Sequence, residues 1–248
     1  MIIGSGASTG IRDLLLRPLV LSVMASVAAA LSGCRSGPPG DVAASEANER
    51  IVQAVSQSLK SVYENERIEA AWRIAAECMG KDLFGPGVYL ALGTAGGARK
   101  WGEQNRSRFT ALMPLLLVAS QDESRDVRET VAVVLMYVGG LGLADGLGEP
   151  RDEALRVLWR LAADDDPQVS LWSARALYQM CVKGTAVVAV SVRLLEHPTS
   201  EVRLMAVYNL GVMGIDAAEA VPEIAKRVFD SDERVRAHAT HALNRVNP

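Results

Sequence analysis

Three arginines recur in one setting, Val127-Arg128, Val202-Arg203 and Val235-Arg236. Such a series could form a basic binding stripe or be spent on internal ion pairs. A second set, Trp172, Arg175, Tyr208 and His241, falls three or six residues after valines of the same kind, Val169, Val202 and Val235. Trp, Tyr and Arg dominate interfaces, so these four could line one groove. The same flank would also touch a neighbouring structural unit, and packing is the competing use. His238 and His241 share a helix face and could hold a metal with an acidic partner. No His-Glu-x-x-His accompanies them, so both are read as structural or solvated and no metal is expected. Gly93–Arg99, GTAGGAR, lacks the Gly-Lys-Ser/Thr of a phosphate loop. There is no Gly-x-Ser-x-Gly and no nucleophile–base pair at telling spacing, so no catalytic residue and no cofactor is assigned.

The elements that must carry these side chains repeat. Aligning on Val127, Val169, Val202 and Val235 gives separations of 42, 33 and 33 residues. Val202, Ala206 and Leu210, like Val235, Ala239 and Leu243, fall near one face of a 3.6-residue helix. Five before the four valines stand Asp122, Asp164, His197 and Asp230; three before stand Ser124, Asp166, Thr199 and Asp232, suited to cap helix N-termini. Pro114 and Pro222 mark the first turns of preceding helices, expected over Thr110–Ser120, Asp152–Ala163, Ala186–Glu196 and Glu219–Phe229. A recurrence of this length means stacked helical hairpins, an all-α solenoid. A weaker first unit covers 50–80. There Ile68 opens the second helix, with Glu69 in the arginine column and Trp72 in the alanine column. Residues 81–108 form an insertion, with a short helix near Gly87–Leu92, and Gly139–Pro150 is a glycine-rich loop. The count is five hairpins over 50–248. Cys78 and Cys181 would lie in the second helices of repeats one and three, beyond the ~7 Å Cα limit for a disulfide, and are read as free thiols.

The pattern resembles HEAT repeats, especially the short bacterial form related to phycobilisome-lyase repeats. Val202-Arg203 with Ala206 and Leu210-Gly211 matches the motif closely, and Val235-Arg236 with Ala239 and Leu243 well. Val127-Arg128 places Val131 in the alanine column, and Val169 is followed by Ser170 instead of arginine. The resemblance implies that Arg128, Arg203 and Arg236 bond to turn residues of neighbouring repeats as a ladder, with Asp122, Asp164 and Asp230 as acceptors. It also suggests a bilin lyase-like activity as an alternative function.

Before the repeats stand Arg12 and Arg17, the apolar run Leu19–Leu31, and then Ser32-Gly33-Cys34. This order resembles a bacterial lipoprotein signal peptide over 1–34. The resemblance implies a diacylglycerol on Cys34 and cleavage before it. Residues 35–49, rich in Pro, Gly, Ser and charge, read as a flexible tether. Net charge is −3 over the chain, which argues against nucleic acid as a partner. The expectation is a HEAT-type scaffold or accessory subunit, anchored to a membrane of the bacterial cell envelope on its periplasmic or extracytoplasmic face, with another protein as partner.

Overall fold

The computed structural model describes residues 41–79, 109–140, 149–180 and 182–248. The expected signal and lipid site at Cys34, the insertion over 81–108, the middle of the glycine-rich loop and Cys181 fall outside them, as does the side chain of Cys78. Among the described residues every regular element is helical. The helices are α1 (Asp41–Ser58), α2 (Glu64–Met79), α3 (Phe109–Ala119), α4 (Arg125–Gly140), α5 (Glu149–Ala162), α6 (Pro167–Gln179), α7 (Thr185–Arg193), α8 (Ser200–Met213), α9 (Val221–Arg227) and α10 (Glu233–Val246). A 3-10 segment, Gly214–Ala220, joins α8 to α9.

The helices alternate. The second helices of successive hairpins stack, α2 on α4, α4 on α6, α6 on α8 and α8 on α10, while α1, α5, α7 and α9 flank them. One continuous apolar core runs from Val55 to Val246. The column valines Val127, Val169, Val202 and Val235 are buried, as are Ala206, Ala239 and Leu210, because positions 0, 4 and 8 share the inward face. Leu112, Leu115 and Leu116 of α3 point into the same core. Where α8 meets α10 the helices come so close that a Cβ on Gly211 would lie 3.1 Å from the Ala242 Cβ. Burial of such a stripe, roughly 25 cal/mol per Å² of apolar surface, is what holds short helices of this kind in place. The stretch Ser200–Arg227 is apolar and long enough to cross a membrane by composition, but here α8 is packed on α10 and α6.

Local signals set most of the boundaries. Asp166 caps α6 by accepting from the amides of Gln168 and Val169, with Pro167 in the first turn, where a missing N–H costs nothing. Asp232 caps α10 through Arg234 N–H, and Ser124 Oγ accepts from Asp126 and Val127 at the start of α4. Thr199, expected to cap α8, makes no side-chain bond there. Pro114 lies inside α3, exposed, and not in its first turn.

Two expectations are corrected. Residues 41–49, read as tether, belong to α1. Ala43, Ala44, Glu46, Ala47 and Glu49 are good helix formers, and the helix extends on propensity beyond the part that has an apolar face. In the first repeat, the register on Ile68 is two residues off. Arg67, not Glu69, takes the arginine column, and Ala70 and Ile74, both buried, take the alanine and leucine columns. The exposed Glu66 therefore stands where the other repeats place valine.

Candidate protein-binding face

The ladder beneath the face comes first, because it decides which arginines are available. Arg128 anchors itself by donating from Nη1 to the carbonyls of Asp122 and Glu123, both 2.9 Å away, in its own turn. Its Nε and Nη2 then grip the Asp164 carboxylate of the next turn at 2.7 and 3.0 Å. Arg203 repeats this on the carbonyls of His197 and Pro198 and on Asp230, at 2.8 and 2.7 Å. Arg67 does the same with Ser61 O and with Asp122, at 2.8 and 3.1 Å. Each aspartate also accepts from the amide two residues on: Asp122 from Ser124, Asp164 from Asp166, Asp230 from Asp232. One carboxylate thus closes its own turn and receives the preceding repeat's arginine.

The electrostatics follow. The Arg203 guanidinium holds the Asp230 carboxyl below the usual carboxylate range, against the opposing pull of burial. At Asp164 burial is the largest influence and pushes upward, but the Arg128 guanidinium and the Asp166 amide together bring the carboxyl below its ordinary value. Both arginines are raised by the same bonds.

The sequence departs from this pattern at one place, and the structure shows a matched exchange. Ser170 replaces the arginine and donates to Ala162 O and Asp164 O, at 3.1 and 2.9 Å. His197 replaces the aspartate and accepts from Thr199 N–H through Nδ1 at 3.1 Å. Each turn is still closed locally, but no rung crosses from α6 to the turn before α8, and these two helices pack less extensively than the other successive pairs. Other polar ties take over: Asn209 Nδ2 donates to Leu171 O at 2.9 Å, and Tyr178 Oη donates to Met213 O at 3.1 Å. At the last repeat, Arg236 makes the bonds to its own turn, Asp230 O and Ser231 O, and its Nε and Nη2 meet no carboxylate among the described residues.

Arg128 and Arg203 are therefore spent, and a basic stripe made of all three arginines is not available. The face that remains open is carried by α6, α8 and α10. Trp172 is half-buried and bridges repeats by donating from Nε1 to Glu129 of α4 at 3.2 Å. Arg175 stacks over the Tyr208 ring, 5.5 Å from its centroid, both half-buried. His241 continues the row on α10 and is exposed. Trp172 and Tyr208 pack between repeats, and none of the four residues is sealed from solvent. His238 Nδ1 lies 3.0 Å from Arg234 O. Among the described residues no cluster of three or more His, Cys, Asp or Glu side chains is gathered as metal ligands would be. A cleft of about 300 Å³ opens on the flanking side between α7 and α9, but its lining of Arg193, Glu196, Glu223, Lys226 and Arg227 is of mixed sign, with Lys226 tied to Glu223.

Sequence reasoning missed Arg67, Asn209, Tyr178 and Asp216. Arg67 had a signal, since Ala70 and Ile74 follow it at the motif's spacing. The others occur once each, and a reading built on recurring columns gives single positions no weight.

Residues 187–248 match the HEAT repeats family model. Among solved structures, a designed armadillo repeat protein in complex with the peptide (KR)4 is similar over 97% of this chain and 95% of that one, with 18% identity and a TM-score of 0.53. An engineered protein is similar over 79% of this chain and 98% of that one, at 16% identity and a TM-score of 0.45. No curated protein matches the chain. The stacked hairpins, the arginine–aspartate rungs and the likeness to the designed armadillo repeat protein agree on an all-α solenoid, whose residues 187–248 match the HEAT repeats family model.

Proposed function

We propose that this protein is an exported, lipid-anchored HEAT-type scaffold that binds another protein in the bacterial cell envelope through the α6–α8–α10 flank. The observation that carries this reading is the row Arg175, Tyr208 and His241 at matched positions of successive helices, with Trp172 one turn before Arg175 and none of the four sealed from solvent. A solenoid offers a long open surface and no reaction chamber, which suits recognition. The designed armadillo repeat protein of similar fold is a peptide binder in its complex. The anchor rests on the order basic residues, apolar run, Ser32-Gly33-Cys34, and two or three acyl chains give stable membrane attachment at about 0.8 kcal/mol per buried CH₂.

Two variants test the two halves. Cys34→Ala abolishes incorporation of radiolabelled fatty acid and releases the chain from the membrane fraction; unchanged labelling contradicts the anchor. Tyr208→Ala, with the full chain purified from detergent-solubilised membranes through a C-terminal tag, loses a stoichiometric partner seen with the unmodified chain. Retention of that partner by Tyr208→Ala contradicts the assignment of the face.

A further inference from the structure

Resting on the binding face just described, we infer that its ligand is an acidic peptide segment whose carboxylate is taken between Arg175 and Arg245. The argument starts from an unspent charge. Arg175 Nε and Nη1 are buried and have no hydrogen-bond partner. A half-desolvated cation without an acceptor is costly, whereas the same cation next to an anion in a low-dielectric setting forms a strong bond. Arg67, Arg128 and Arg203 have each found a carboxylate, whereas Arg175 meets Tyr208 and no carboxylate among the described residues. Desolvation lowers its affinity for the proton, Tyr208 and Tyr178 oppose that, and Arg245 adds to it as a like charge.

Two cations lie on this flank, and the acids at its edge, Glu129 and Asp216, are already engaged by Trp172 and by Lys183. Rows six and ten residues after the column valines place Arg175 and Gln179 on α6, Tyr208 and Val212 on α8, and His241 and Arg245 on α10. Residues four apart share a helix face, so these six form one patch with no carboxylate in it. The nearby acid, Asp216, is already engaged by Lys183 at 2.9 Å and by Tyr178 Oη at 3.1 Å. The patch also holds the half-buried Gln179 amide, whose Oε1 is unpaired and whose NH₂ group is a donor by type. Arg175 and Arg245 repel as like charges, and one anion set beside both relieves them. A peptide side chain supplies that anion while its backbone and neighbouring residues lie along Trp172, Tyr208 and Val212. The expected ligand is thus opposite in sign to the (KR)4 peptide held by the designed protein of similar fold.

Fluorescence anisotropy of the full chain in detergent tests this with two labelled octapeptides, (Asp-Glu)4 and (Lys-Arg)4, and with inorganic phosphate as competitor. The acidic peptide binds and the basic one does not. Arg175→Gln and Arg245→Gln each weaken binding about tenfold, the loss of one charge-assisted bond. Arg234→Gln, which removes an exposed arginine already tied to Asp232 and Glu201, changes nothing. Thermal unfolding of Arg175→Gln confirms that it is folded. Tighter binding of (Lys-Arg)4 overturns the ligand class while leaving the scaffold reading in place. Binding of (Asp-Glu)4 that is indifferent to Arg175→Gln and Arg245→Gln overturns the site. Displacement by phosphate at the affinity of the peptide shows a simple anion site and overturns the peptide assignment. Absence of binding by (Asp-Glu)4 overturns the inference outright; loss of the membrane partner in Tyr208→Ala is a separate readout that this result leaves untouched.

Discussion

Arg203 and Arg236 begin the same motif and are not equivalent. Arg203 forks onto Asp230, whose side chain is 2% exposed, and its own side chain is 10% exposed; Arg236 bonds only to its own turn. Removing one member of a buried pair leaves the other charged and unsolvated, at a cost of about 3 kcal/mol or more. Loss of carbonyl bonds at a half-exposed site costs about 1 kcal/mol. Urea denaturation at pH 7 therefore finds Arg203→Ala well below Arg236→Ala in stability, and equal losses would show that the forks contribute nothing. The same forks predict a response to acid. The carboxyls of Asp164 and Asp230 titrate lower in the folded chain than in the unfolded one, where a free aspartate titrates near ~3.9. Their contribution is complete above that value and is lost as pH falls through the depressed folded values. The urea midpoint stays level down to about pH 5 and drops below about pH 4; a level profile through the acid range would mean that these carboxylates are not stabilising the fold.

Among the elements, α8 and α10 were legible because their motif is complete, and Val202, Ala206 and Leu210 sit buried where the spacing puts them. Gly211 was legible as part of the motif but not for its reason, the close approach of Ala242, which belongs to a different helix. The first repeat was misread because its second helix begins with Glu66 in place of valine, so the apolar Ile68 drew the register two positions along. The start of α1 was missed for a related reason: periodicity detects a face that is packed, and residues 41–49 are helical before that face begins. The 3-10 segment Gly214–Ala220 replaces the first turn expected from Glu219. Gly214 at φ 55° ends α8 in a conformation that suits glycine, and the chain turns there before Pro222 opens α9.

At the scale of the molecule, the solenoid is tied unevenly. Rungs join repeats one to two, two to three and four to five, whereas the third joint relies on Asn209, Tyr178 and the Arg175–Tyr208 stack. The open cation and the missing rung thus occur at the same joint. The sequence showed the missing arginine at Ser170 and placed Trp172, Arg175, Tyr208 and His241 on one flank; that Arg175 is left without an acceptor depends on how α8 and α10 pack beside it, which no spacing reveals. The claim at the centre of this account is that this flank meets the partner. Site-specific photo-crosslinking in intact membranes tests it most directly, with a photoreactive phenylalanine analogue in place of Tyr208, and in place of Val118 on α3, which is exposed on another helix. The account predicts a protein adduct from position 208 and none from 118. An adduct from 118 with none from 208 would contradict it.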